Sequence, residues 1–112
     1  MHLGEVCLMT RDAPRLAAFY RQLLSLPPQE NHDRHQFIVA EEVSLAVWDD
    51  GTPISAVQTA SLAFTTDDID HEYHRLSALG VEIVQPPVQQ PWGAVNMVLR
   101  DPDGRLVYIR QF

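Results

Sequence analysis

Cysteine occurs once in this 112-residue chain, at Cys7. No internal disulfide can form, and the expected setting is a reducing, cytoplasmic one. Basic residues are scarce as well: eight against fifteen acidic, for a net charge of −7. That balance speaks against nucleic acid and anionic membrane surfaces as partners. No apolar run approaches the roughly 20 residues of a membrane span. The opening MHLGE lacks the basic start and apolar run of a signal peptide. What is present is globular in character. Hydrophobic residues make up 46 % and charged residues 21 %, enough for one domain over residues 1–112 with a modest core.

The clearest local signal lies at the C-terminal end. Residues 94–99 and 106–110 are rich in β-branched and apolar side chains, and Asp101-Pro102-Asp103-Gly104 lies between them. Pro102 presets φ for the second turn position and Gly104 can take the positive φ that closes such a turn, so the stretch reads as an antiparallel hairpin. Pro91-Trp92-Gly93 marks its beginning.

Upstream, residues 4–10 read as a strand. Asp12 is an N-cap ahead of Pro14, and Leu16, Ala17, Tyr20, Leu23 and Leu24 recur at helical spacing until Ser25-Leu26-Pro27-Pro28. Residues 29–34 are polar and read as a loop, followed by short strands at 36–40 and 43–48. The second half repeats the order. Residues 61–66 form a strand, Asp68 caps a helix carrying Ile69, Tyr73, Leu76 and Leu79, and Gly80 ends it. Residues 81–84 are a strand, 85–90 a proline-broken loop, and the hairpin closes the chain. A slide of 56 residues places Asp12 on Asp68. The expected fold is therefore α+β: two βαβββ repeats, at 1–48 and 60–112, joined by a linker at 49–59.

These segments in this order, with PWG and DPDG at the close, resemble the glyoxalase/bleomycin-resistance/dioxygenase superfamily, the vicinal-oxygen-chelate fold. Ser25 departs from the family pattern, which usually has Gly there. The resemblance implies a cupped mixed sheet with the helices on its outer face, the cup of helix-free faces holding metal and substrate. It also implies a homodimer, with the repeats paired within one chain or exchanged between two.

Strand alternation sorts the side chains. Val6, Leu8, Leu45, Val47, Leu62, Phe64, Val107 and Ile109 face the helices. Glu5, Cys7, Met9, Ser44, Ala46, Trp48, Ser61, Ala63, Thr65, Tyr108 and Arg110 face the other way, and Trp92 can join them from its turn. The family's enzymes hold a divalent metal near the starts of the first and fifth strands and on the last strand of each half. Those positions are Glu5, Ser61, Tyr108 and either Ser44 or Ala46, and only Glu5 is a good donor. The expectation is accordingly no metal and no cofactor. His32 and His35 fall in the polar loop, His71 and His74 on the polar side of the second helix, and His2 at the terminus.

The cup as read is open, floored by small residues and edged by Trp48, Tyr108 and Trp92. Glu5 can pair a cationic ligand, or act as a base in partly apolar surroundings, or be neutralised by Arg110. Two functions follow. One is a metal-free binding protein of the bleomycin-resistance type that sequesters a cationic or aromatic small molecule. The alternative is a lyase or isomerase that uses Glu5 as general base, with Tyr108 donating a hydrogen bond. A third possibility is a vestigial cup in a domain that serves only in association.

Overall fold

A computed structural model describes residues 3–29, 33–40, 42–51, 53 and 61–112. The chain divides into two compact units, Met1–Ala56 and Val57–Phe112, with the boundary inside the expected linker. Most of that linker, with His2 and His32, lies outside the described residues.

The first unit runs β1 (Glu5–Met9), α1 (Ala13–Leu23), β2 (His35–Ala40) and β3 (Ser44–Trp48). Its sheet has the order β1-β3-β2, with β1 parallel and β2 antiparallel to the central strand. Asp12 caps α1 as its sequence suggests, its Oδ1 accepting from the Arg15 N–H at 3.1 Å. The helix packs on β2 and β3. Leu16, Ala17, Tyr20 and Leu23 are buried from one side, Ile38, Leu45 and Val47 from the other. Burial of each large side chain contributes about 1.5–3 kcal/mol. The β2–β3 register slips between Phe37 and Val39, so Ile38 is an extra residue and turns inward beside Gln36.

The second unit runs β4 (Leu62–Thr65), α2 (Ile69–Ala78), β5 (Ile83–Gln89), β6 (Val95–Arg100) and β7 (Leu106–Gln111). Its sheet order is β4-β7-β6-β5. Asp68 caps α2 through His71 N–H at 3.0 Å, repeating the device of Asp12. Ile69 and Leu76 are buried with Met97, Leu99, Val107 and Ile109, and α2 packs on β5, β6 and β7. The fold is thus the α+β repeat expected. The second unit carries the full βαβββ order, whereas the described residues of the first show three strands.

Two local readings change. The strand expected to stop at residue 84 continues through Pro86 and Pro87 to Gln89. β5 is an edge strand and its register to β6 slips between Gln85 and Val88, so the missing proline N–H groups cost no ladder bonds. Leu79 is 48 % exposed, because α2 ends at Ala78 and the chain turns away there. Gly80, at φ +78°, makes that turn.

The DPDG hairpin forms as read. Gly104 has φ +85° and its N–H donates to the Asp101 carbonyl at 2.9 Å. Asp101 is the hub: its buried carboxylate accepts from the N–H groups of Asp103 and Arg105, each at 2.9 Å, and pairs the Arg105 guanidinium at 3.2 Å. No described helix is long and apolar enough to cross a membrane.

Candidate functional site

In the first unit the helix-free face is laid out by register. Glu5 stands beside Ser44; Cys7, Ala46 and Phe37 form the next row; Met9, Trp48 and His35 form the third. Five of the residues expected at the site, Glu5, Cys7, Ser44, Ala46 and Trp48, therefore share this face. Ala46 does not line an open floor, however. It is fully buried, because it sits in the central strand between Cys7 and Phe37. Glu5 is exposed, not set in apolar surroundings.

Aromatic side chains dominate this face. Phe37 is 56 % exposed and Trp48 44 %, far more than rings serving the core. The His35 ring stands edge-on to both, with centroids 5.0 Å from Phe37 and 5.8 Å from Trp48. His35 corrects the sequence reading. It opens β2 and is not a loop residue, because the strand begins one position before the stretch 36–40 read from the sequence. Alternation carried back one residue from Gln36 would have placed His35 and Phe37 on the face of Trp48.

The donor atoms of Glu5, Cys7 and His35 all lie within 4.8 Å of one another. Cys7 is half-buried, and its thiol pKa is raised, first by burial and then by the negative charge of Glu5.

The second unit has its own helix-free face. Ala63, Tyr108 and Val98 lie in one row, and Thr65, Arg110 and Asn96 in the next. Arg110 donates from Nε to Thr65 Oγ1 at 3.0 Å, and its guanidinium lies 5.1 Å from the centroid of Phe112. These partners belong to its own unit. The Oδ1 atom of Asn96 is buried and without a hydrogen-bond partner among the described residues. Ser61 lies just before β4 and is exposed. Trp92 sits in the turn between β5 and β6, 69 % exposed and off the strand face. His71 and His74 are exposed on α2, as read from the sequence.

Comparison with known proteins identifies the class. The profile of the Glyoxalase/Bleomycin resistance protein/Dioxygenase superfamily matches residues 2–109, so the chain belongs to that superfamily. A glyoxalase/bleomycin resistance protein/dioxygenase family enzyme from Burkholderia phytofirmans PsJN superposes with a TM-score of 0.81 at 18 % identity, covering 99 % of this chain and 98 % of that one. A glyoxalase/bleomycin resistance protein/dioxygenase from Nocardioides gives 0.77 at 25 % identity, over 100 % and 83 %. Lactoylglutathione lyase from Agrobacterium tumefaciens gives 0.72 at 24 %, over 98 % and 92 %. None of the curated proteins matches the chain in sequence.

Of the positions at which the resemblance places the superfamily's metal ligands, only Glu5 carries a good donor. Ser44 or Ala46 in the first unit, and Ser61 and Tyr108 in the second, offer hydroxyls or a methyl where carboxylate, amide or imidazole donors are needed.

Proposed function

We propose that the protein binds a flat or cationic organic molecule without the metal set of the superfamily's enzymes, in the manner of bleomycin-resistance proteins, and works as a homodimer. The observation that carries this reading is the exposed ring cluster His35, Phe37 and Trp48 on the helix-free face of the first sheet, with the Glu5 carboxylate on the same face. Exposed aromatics grouped in this way serve recognition better than folding. A ligand cation over Trp48 gains about 0.5–2 kcal/mol. That alone gives no useful affinity, so tight binding requires a ligand large enough to cover the cluster. An acidic chain suits a basic ligand. The lyase or isomerase alternative is less favoured, because Glu5 is exposed and lacks the apolar setting of a tuned base.

Calorimetry against a panel of basic aromatic compounds, bleomycin included, tests the reading with chelator present. Trp48→Ala should weaken every binder at least fivefold. Glu5→Gln should weaken the cationic ones and spare neutral aromatics. Absence of binding across the panel, or affinities unchanged in Trp48→Ala, would overturn it.

A further inference from the structure

We propose that the helix-free face of the first sheet holds a transition-metal ion of the zinc type through the Glu5 carboxylate, the Cys7 thiolate and the His35 imidazole. The three donor atoms lie within 4.8 Å of one another. Around a tetrahedral ion with bonds of about 2.0–2.3 Å, donors stand roughly 3.3–3.8 Å apart. Closure therefore asks for side-chain movements of about an ångström, within the reach of half-buried and exposed side chains.

The fold supplies what such a site needs. Cys7 and His35 come from the two outer strands of the sheet, and β3 runs between them. There Cys7 pairs with Ala46, and His35 pairs with Trp48 in the next row. The His35 ring is held edge-on by Phe37 and Trp48, which reduces the rotamer freedom lost on binding. One sulfur, one imidazole nitrogen and one carboxylate oxygen select zinc-like ions over magnesium or calcium, which prefer all-oxygen sets. Three protein donors leave a fourth position for water or a ligand atom.

This set differs from the superfamily's positions in two of its three members, Cys7 and His35. The inference also stands apart from the organic-ligand reading, which is judged on Trp48 with metal removed. Either can fail alone.

Cobalt(II) serves as the probe, because sulfur coordination is visible in its spectrum. Protein stripped with chelator should take up one Co2+ per chain, with a sulfur-to-metal charge-transfer band in the near ultraviolet that added Zn2+ abolishes. Cys7→Ser should lose the band, and His35→Gln and Glu5→Gln should each weaken Co2+ binding at least tenfold. His74→Gln, on the exposed face of α2, should bind as the wild type does. Circular dichroism melts establish that each variant is folded. Absence of the sulfur band in wild type, or equal Co2+ affinity in folded His35→Gln, would overturn the proposal.

Discussion

The guanidinium of Arg21 donates to Gln36 Oε1 at 2.8 Å inside the first unit, where both residues are buried. Its further bonds, at 3.3 Å, go to the side-chain oxygen of Gln29 and the carbonyl of Phe37. A cation on the inner face of an amphipathic helix is thus satisfied by neutral oxygens, and the link ties α1 to β2. Gln36→Leu removes the shortest of these bonds while the charge stays buried, and should cost about 2–3 kcal/mol in urea unfolding. Arg21→Met combined with Gln36→Leu should be less destabilising than Gln36→Leu alone, since no charge is then left stranded. A double variant worse than the single one would show that Arg21 has a stabilising role beyond Gln36.

Ser25 sits at φ +56°, the described non-glycine residue with positive φ. It closes α1 by the same pair of bonds that Gly80 uses at the end of α2. Leu26 N–H donates to Arg21 O at 2.7 Å and Ser25 N–H to Gln22 O at 3.1 Å; Val81 and Gly80 do the same to Leu76 and Ser77. The motif needs a left-handed residue after the helix, and Ser takes that conformation at a cost. Ser25→Gly should therefore stabilise the protein by about 1 kcal/mol, and Gly80→Ala should destabilise it by a similar amount. A Cβ on Gly80 would meet nothing within 4 Å, so its effect is purely one of backbone conformation. Thermal melts that leave both variants unchanged would refute this account.

Much of the fold was legible because the determining signals are local. Asp12 and Asp68 cap their helices, Gly104 closes its turn, and strand alternation sorts Val6 and Leu8 from Glu5 and Cys7. What escaped depends on neighbours in space. Pro86 and Pro87 read as a break, and only the edge position of β5 makes them tolerable. Ala46 reads as open floor, and only the flanking strands bury it. The burial of Arg21 shows only once Gln36 is placed opposite it. His35 was hidden by a strand that starts two residues before its apolar run, and with it the donor cluster on the sheet.

The Cys7 thiol, its pKa raised first by burial and then by Glu5, should be slow to alkylate in metal-free protein. The thiolate is the reactive form, so the rate against pH should have its midpoint above that of the unfolded chain. Glu5→Gln should lower that midpoint only in part, because burial is the larger cause. The sign for stability follows. A folded pKa above the unfolded one gives stability that is present below the unfolded pKa and lost as pH rises through the folded one. Unfolding midpoints should thus fall at alkaline pH, and Cys7→Ser should flatten that fall. An alkylation midpoint at or below that of the unfolded chain would contradict the assignment.

Association is the remaining consequence of the sheet topology. In the first unit β1 has β3 on one side only, and in the second β4 has β7 on one side only. Each of these first strands of a repeat therefore stands at the edge of its own sheet among the described residues. Such edges invite pairing unless something covers them. Neither carries the devices that usually blunt an edge: β1 is EVCLM and β4 is LAFT, with one charge between them and no proline. Two like units brought edge to edge, within a chain or between chains, would cover both edges. Exchange between two chains makes a homodimer, and sedimentation at micromolar concentration should then show a species of twice 12.7 kDa. Cys7→Pro, which removes a donor from the β1 backbone, would disturb the fold itself and decides nothing. Ala63→Lys, on exposed β4, is the better probe, since it places a charge beside any strand that pairs there. It should shift the equilibrium toward monomer while the helical circular dichroism is kept. A wild-type chain that sediments at 12.7 kDa under these conditions would exclude the exchanged dimer.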